Sequence, residues 1–203
     1  MRRIVVFDWL TADGHFAAAN GSLDWVVPDP EQVHAAVDEI PRFDTLLFGR
    51  KTFELFQGFW RGAVDEARTA PDPHRPGHRT REHGAIGIWL NEAIKIVFSK
   101  TLKDVTWKNA RVLHHLDARE IERLKRQNGK DMMVFGSASI VSQLARHNLI
   151  DEYHLVVCPV LIGGGRPLLD GLSRHLTLNL LEARTYGSGD VVLRYSAANK
   201  RFP

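Results

Sequence analysis

The chain has 203 residues and a single cysteine, so it falls within the single-domain range and can bury roughly 70% of its unfolded surface without a disulfide. Its 27 Lys and Arg against 24 Asp and Glu leave a charge of +3, and the basic residues are scattered, whereas nucleic-acid binders usually concentrate charge on one stripe. The first apolar run ends at Asp8, far short of a signal-peptide core or a membrane span, so we expect a cytoplasmic protein that binds neither nucleic acid nor membranes.

The first quarter of the chain predicts alternating strands and helices. Residues 3–7 form a β-branched apolar run that is typical of a buried strand. Residues 29–32 (Asp-Pro-Glu-Gln) supply an N-cap, a proline at the first helical position and a capping-box glutamine, which predicts an amphipathic helix through Ile40. Residues 45–48 predict a second strand, and residues 50–56 continue in a helix-compatible pattern.

The middle of the chain contains a break in this alternation. Residues 61–84 are rich in Arg, His, Pro and Gly, with prolines at 71, 73 and 76, so we predict a long surface loop that covers the substrate side. The alternative is a disordered insertion without a role in the site. Residues 86–93 predict a short helix, and residues 94–98 a third strand.

The last part of the chain changes from α/β alternation to strands alone. Asp117 with Glu120 predicts a capped helix through Leu124, and residues 132–135 predict a fourth strand followed by a turn and a helix. Strands follow at 153–157, 176–181 and 191–195. We therefore predict one α/β domain over residues 1–203, with the loop 61–84 as an insertion and antiparallel strands at the C-terminal end.

Glycine and small polar residues follow three of the predicted strands, at Gly49, Ser99 and Gly136. In an open α/β sheet, ligands bind beyond the carboxyl ends of the strands, where helix N-termini present free N–H groups to anions. Arg50 and Lys100 place a cation beside two of these turns, which suits a phosphate. Each turn alone is more typical of ordinary helix capping than of a ligand site.

Several familiar sites are disfavoured by spacing. No Gly-x-Gly-x-x-Gly follows the first strand and no P-loop motif occurs, which disfavours a Rossmann dehydrogenase and a P-loop enzyme. His74 and His78 have a spacing that joins two ligands only on a helix, and Pro76 makes a helix there improbable, so no metal site is expected.

Six segments occur in an order that resembles the dihydrofolate-reductase-like superfamily, and within it the type of the riboflavin-biosynthesis reductase C-terminal domain. They are residues 11–14 (Thr-Ala-Asp-Gly), 43–53, 96–102, 134–137, 149–153 and 159–167. The resemblance implies a mixed sheet flanked by helices, with NADPH as cofactor. It covers nearly the whole chain apart from the loop at 61–84.

The resemblance also implies roles for individual residues. Gly49, Arg50, Lys51 and Thr52 would meet the cofactor phosphates, Ser99 and Lys100 the adenosine 2′-phosphate, and Gly136, Ser137, Ala138, Ser139 and Ile140 the pyrophosphate. Asp13 and Asp24 would lie near the nicotinamide as candidate proton donors, beside Trp25 as a substrate contact. The acidic residue that folate reductases carry five positions after a Pro-Trp pair is absent, so folate is not the expected substrate.

Two functional hypotheses follow. The first is an NADPH-dependent reductase that transfers a hydride to a small pteridine-like or pyrimidine-like heterocycle, with the proton coming from water, Asp13 or Asp24. The second is a non-catalytic nucleotide-binding or assembly module on the same fold. In either case the C-terminal strands would leave an open sheet edge, so we expect a symmetric homodimer.

Overall fold

The computed structural model describes residues 1–198, which form a mixed sheet of eight strands with helices on both faces. The strands are β1 Ile4–Thr11, β2 His15–Ala18, β3 Phe43–Gly49, β4 Ala70–Pro71, β5 Arg79–Thr80, β6 Ile94–Phe98, β7 Ala110–Leu113, β8 Asp131–Phe135, β9 Glu152–Cys158, β10 Gly165–Pro167, β11 Leu178–Thr185 and β12 Val191–Ala197. The helices are α1 Pro30–Glu39, α2 Arg50–Trp60, α3 Arg81–Glu92, α4 Ala118–Arg126 and α5 Ala138–Arg146. No helix formed by these residues has the length and apolarity needed to cross a membrane.

The main sheet has the strand order β11-β12-β9-β1-β8-β3-β6-β7. The six strands from β9 to β7 pair in parallel, whereas β12 pairs antiparallel with β9 and β11 pairs antiparallel with β12. The predicted α/β fold class with C-terminal antiparallel strands is thus confirmed.

Two helical layers cover the sheet, and they pack on it differently. On one face, α4 and α5 bury Ile121 and Leu144 against strand residues such as Val6 and Leu47. On the other face, α2 and α3 bury Phe53 and Leu90 in a second core cluster. The remaining helix, α1, packs against α3 and leaves space between itself and the sheet.

Capping interactions set the start of two helices as the sequence predicts. The Asp29 carboxylate accepts a hydrogen bond from the Glu31 backbone N–H at the start of α1, and Asp117 accepts from Arg119 and Glu120 at the start of α4. The predicted capping-box role of Gln32 is wrong. Its side chain is buried and makes no hydrogen bond with any residue of the described range, because it faces the space beneath α1.

The predicted loop at 61–84 is shorter than expected. Helix α3 begins at Arg81, and its N-cap is Thr80, whose side chain accepts a hydrogen bond from the His83 backbone N–H. The prolines are confined to a small hairpin, in which β4 pairs with β5. Gly84, predicted as the last residue of the loop, lies inside α3. Glycine is needed there because a Cβ would come within 1.8 Å of the Arg68 carbonyl oxygen.

Besides β4 and β5, three short strands were not predicted from the sequence. Strands β2 and β10 pair with each other in a separate two-stranded sheet, and β7 adds the last strand to the far edge of the main sheet. Each has only three or four residues, too few for an alternating pattern to stand out.

Candidate active site

Strands β1 and β8 separate part-way along the sheet and open a gap. Their pairing stops at Phe7 and Phe135, whereas β1 continues to pair with β9 as far as Thr11 and Cys158. The chain leaves β8 through Gly136, which has a positive φ of 52°, and enters α5. The gap lies at the carboxyl ends of parallel strands, where ligands bind in sheets of this kind.

Two helix N-termini meet at the same edge. Gly49 is the N-cap of α2 and Ser137 is the N-cap of α5, and neither helix has a side-chain hydrogen bond to its first turn. A Cβ on Gly49 would lie 1.9 Å from the Ser137 hydroxyl oxygen, so the two helix starts are in close contact. Uncapped N–H groups at two adjacent helix starts favour a bound anion.

A cleft of about 1590 Å³ extends from this edge into the space between α1 and the sheet. Aromatic side chains dominate its wall: Phe7, Trp9, Phe16, Phe43, Phe56, Phe59, Trp60, Trp89, Phe135 and Tyr186. The Phe135 ring lies at the centre of this wall, with centroids 5.9 Å from Phe7, 5.2 Å from Phe56 and 5.9 Å from Trp89. Such a wall is suited to a planar ring that stacks against or meets the edges of these side chains.

The hairpin between α2 and α3 closes one side of the cleft. Pro73, His74 and Pro76 line it, together with His83 from the first turn of α3. The His83 ring stacks on Trp60 and its Nδ1 lies 2.8 Å from the Thr80 hydroxyl oxygen. Burial lowers the pKa of both histidines, so both are neutral at pH 7.

The structure brings together half of the predicted site residues. The residues that line the cleft are Asp24, Lys51, Thr52, Gly136, Ser137, Ala138 and Ser139. Gly49 packs against Ser137, and Ile140 lies on the face of α5 that is buried in the core. Arg50, which lies 3.8 Å from Glu54, and Lys100 are exposed cations outside the cleft wall. The Ser99 hydroxyl accepts hydrogen bonds from the Thr101 and Leu102 backbone N–H groups, which closes a local turn.

The two predicted proton donors have different surroundings. Asp24 is exposed at the mouth of the cleft. Asp13 lies outside the cleft wall and accepts hydrogen bonds from the Ile162 and Gly163 backbone N–H groups at 3.2 and 2.8 Å. Hydrogen bonds from Thr11 and Gly163 lower the pKa of Asp13 to about 2. Asp13 is therefore a carboxylate, and it stabilises the loop that contains Ile162 and Gly163.

Trp25, the predicted substrate contact, lies beside the cleft instead of lining it. Its ring packs against the apolar cluster of Val156, Cys158 and Val192. Its indole N–H is buried and has no hydrogen-bond partner among residues 1–198.

Two cleft residues were missed in the sequence. Asp8 and Gln32 are only 6% and 5% exposed, and both have side-chain atoms without a hydrogen-bond partner in the described range. One signal was available for Asp8, because an ionisable residue in the middle of the run Val-Val-Phe-Asp-Trp-Leu is unusual in a buried strand. Gln32 carried no such signal, since its position fits a capping box equally well.

Residues 1–198 contain no group of three or more His, Cys, Asp or Glu side chains that could hold a metal ion.

Comparison with known proteins supports the fold and the family. The chain is 29% identical to the uncharacterized protein YyaP of Bacillus subtilis over 196 residues. The aligned region covers 96% of this chain and 94% of that protein. A second uncharacterized B. subtilis protein, YwjB, is 24% identical over 97% of the chain and 99% of its own length.

Solved structures share the fold at lower identity. A candidate riboflavin biosynthesis protein from Shewanella sp. PV-4 superposes with a TM-score of 0.70 at 22% identity, covering 98% of this chain and 99% of that one. A pyrimidine reductase-like protein from Corynebacterium diphtheriae gives a TM-score of 0.63 at 13% identity, over 98% and 93% of the two chains. The model of the RibD C-terminal domain matches residues 2–192, and the chain therefore belongs to the RibD C-terminal domain family.

Proposed function

We propose that this protein is a cytoplasmic NADPH-dependent reductase that transfers a hydride to a small pyrimidine-like or pteridine-like heterocycle. The observation that carries this proposal is the gap between β1 and β8, which connects two uncapped helix N-termini to an aromatic cleft. An anion site beside an apolar slot is what a phosphate-bearing nicotinamide cofactor and a planar acceptor need.

The residues at the gap fit a dinucleotide. The backbone N–H groups of residues 137–139 and of the first turn of α2 would hold the phosphates, with Lys51 as a nearby cation and Thr52 as a hydroxyl donor. Gly136 has a positive φ, which favours glycine, and its lack of a Cβ leaves the strand end open to the ligand. When bound, NADPH supplies the hydride.

The aromatic cleft supports a ring-shaped acceptor. Membership of the RibD C-terminal domain family and the likeness to a pyrimidine reductase-like protein favour a pyrimidine. The buried Gln32 carboxamide lies in the same cleft and has one donor and one acceptor side by side, which matches the N–H and C=O edge of such a ring.

The direct test measures binding and turnover separately. NADPH binding is followed by fluorescence, and NADPH oxidation is followed against a panel of pyrimidines and pteridines. A reductase binds NADPH and oxidises it with at least one ring of the panel. Binding with no oxidation across the panel would identify a nucleotide-binding or assembly module instead.

Cofactor choice gives a first prediction: NADPH binds at least about tenfold more tightly than NADH, and Arg50→Ala removes most of the difference. NADPH differs from NADH by its ribose 2′-phosphate, and a charge-assisted contact between a guanidinium and this phosphate contributes an affinity difference of this size. Arg50, the first residue of α2, is an exposed cation that would supply the contact. Dissociation constants for both cofactors check it, with the exposed Lys103→Ala as a control that keeps the preference. Equal affinities in the unaltered protein would contradict the prediction.

Assembly gives a second prediction: the chain is a symmetric homodimer that pairs through β11. This edge strand is almost entirely exposed, and Leu180 and Leu181 in its middle are 57% and 56% exposed. Leu180→Glu should therefore give monomers by light scattering at micromolar concentration, whereas Leu161→Glu, on a separate exposed leucine, should keep the dimer mass. A monomeric mass for the unaltered chain would refute it.

A further inference from the structure

Asp8 stands at the point where the sheet opens. It is the first residue of β1 beyond the last pair with β8, so the side of the strand that faces the gap has no neighbouring strand there. A Cβ on Gly136 would lie 3.4 Å from Asp8 Oδ1 and 3.9 Å from the Thr52 hydroxyl oxygen, so both side chains converge on this residue. Asp8 also lines the aromatic cleft, between Phe7 and Trp9, where the proposed function places the acceptor ring.

The Asp8 carboxyl group is buried and only partly hydrogen-bonded. It is 6% exposed, its Oδ2 has no hydrogen-bond partner, and it makes no ion pair with any residue in the range 1–198. A buried carboxyl oxygen without a partner lowers stability and is rarely found where it has no use. The buried Asp151, by contrast, forms an ion pair with Lys125.

The surroundings of Asp8 favour its protonated form. Burial raises the pKa of Asp8 well above its ordinary value, and a hydrogen bond from the Gly136 backbone opposes only part of that rise. Asp13, by contrast, is held ionised by its hydrogen bonds, and Asp24 is exposed to water. Of Asp8, Asp13 and Asp24, Asp8 is the one whose environment favours the protonated form.

We propose that Asp8 is the catalytic proton donor of the reduction, an inference that rests on the proposed function. As the hydride adds to the carbon of a C=N or C=O group, the π pair moves to the nitrogen or oxygen. The Asp8 O–H bond breaks, and its proton forms the new N–H or O–H bond. The acceptor gains two electrons and two hydrogens in all, one as hydride and one as the proton, and water then reprotonates the Asp8 carboxylate.

The decisive variant is Asp8→Asn, which keeps the shape of the side chain and removes the acidic proton. We expect NADPH affinity to stay within about twofold, while single-turnover NADPH oxidation with the best ring of the panel falls roughly 10²-fold to 10⁴-fold. The exposed Asp104→Asn, on the loop after β6, is the matched control and should keep the rate.

A second measurement reads the proton without turnover. Infrared difference spectra of the unaltered protein minus Asp8→Asn at neutral pH should show the C=O stretch of a protonated carboxyl group. A carboxylate band in its place would overturn the proposal, and so would an unchanged rate in Asp8→Asn. Loss of rate in Asp24→Asn but not in Asp8→Asn would move the role to Asp24. An unaltered protein that oxidises NADPH with no ring of the panel would overturn the proposed function, and this role with it.

Discussion

Gly49→Ala should lower NADPH affinity by at least about tenfold and cost about 1–3 kcal/mol of unfolding free energy. The backbone of Gly49 has φ −81° and ψ 161°, which alanine adopts without strain, so the whole effect comes from the added methyl group. That methyl would lie 1.9 Å from the hydroxyl oxygen and 2.9 Å from the Cβ of Ser137. The start of α5 must therefore move away from the start of α2, and the paired anion site widens.

The rescue of this variant is equally specific. Ser137→Gly removes the two atoms nearest to the new methyl and leaves Ile140 Cγ1 as the nearest, at 3.3 Å. It also removes a serine from a left-handed conformation with φ 64°. The double variant Gly49→Ala/Ser137→Gly should recover most of the lost affinity and stability, as measured by NADPH titration and urea unfolding in a double-mutant cycle. Additive losses would show that the two helix starts do not act as one site.

Gly84→Ala should destabilise the protein by about 3 kcal/mol or more and reduce turnover. Its Cβ would lie 1.8 Å from the Arg68 carbonyl oxygen, a backbone atom that cannot rotate aside. The strand-and-turn segment before α3 must then lift off the helix. Since Pro73, His74 and Pro76 of that segment line the cleft, the cleft loses one wall.

A second helical glycine provides the control. Gly58 in α2 is exposed and has no atom within 4 Å of an added Cβ, so Gly58→Ala should raise the unfolding free energy by roughly 0.5–1 kcal/mol. Thermal or urea unfolding of both variants checks the pair. Equal effects of the two substitutions would contradict the close packing of α3 on the preceding segment.

Most of the fold could be predicted because the local signals are strong. The strand at Ile94–Phe98 has the same bounds in sequence and structure, and Asp29 and Asp117 cap the helices that their spacing predicts. The length of the loop predicted at 61–84 was overestimated, because α3 begins at Arg81 and contains Gly84. Gly84 disfavours a helix by its own propensity, and only the contact with Arg68, sixteen positions earlier, makes glycine necessary there.

The candidate site was only half predictable, since it depends on contacts between distant parts of the chain. Turn residues such as Gly136 and Ser137 can be predicted from their residue type and from their position after a strand. The isolation of Asp8 does not, because it arises only when β8 leaves β1 after Phe135. The position of Asp13 before a glycine favours a role in the site, yet its carboxylate accepts hydrogen bonds from the Ile162 and Gly163 backbone N–H groups.

The attachment of the hairpin bears on how ligands enter and leave the cleft. The Arg79 guanidinium donates hydrogen bonds to the Ala63 and Thr69 carbonyl oxygens, which ties β5 to the segment after α2. Gly84 of α3 lies against the Arg68 carbonyl oxygen of the same segment, so opening the cleft on this side would break these contacts. We therefore expect ligands to exchange past Asn20 and Asp24, two exposed residues that line the cleft.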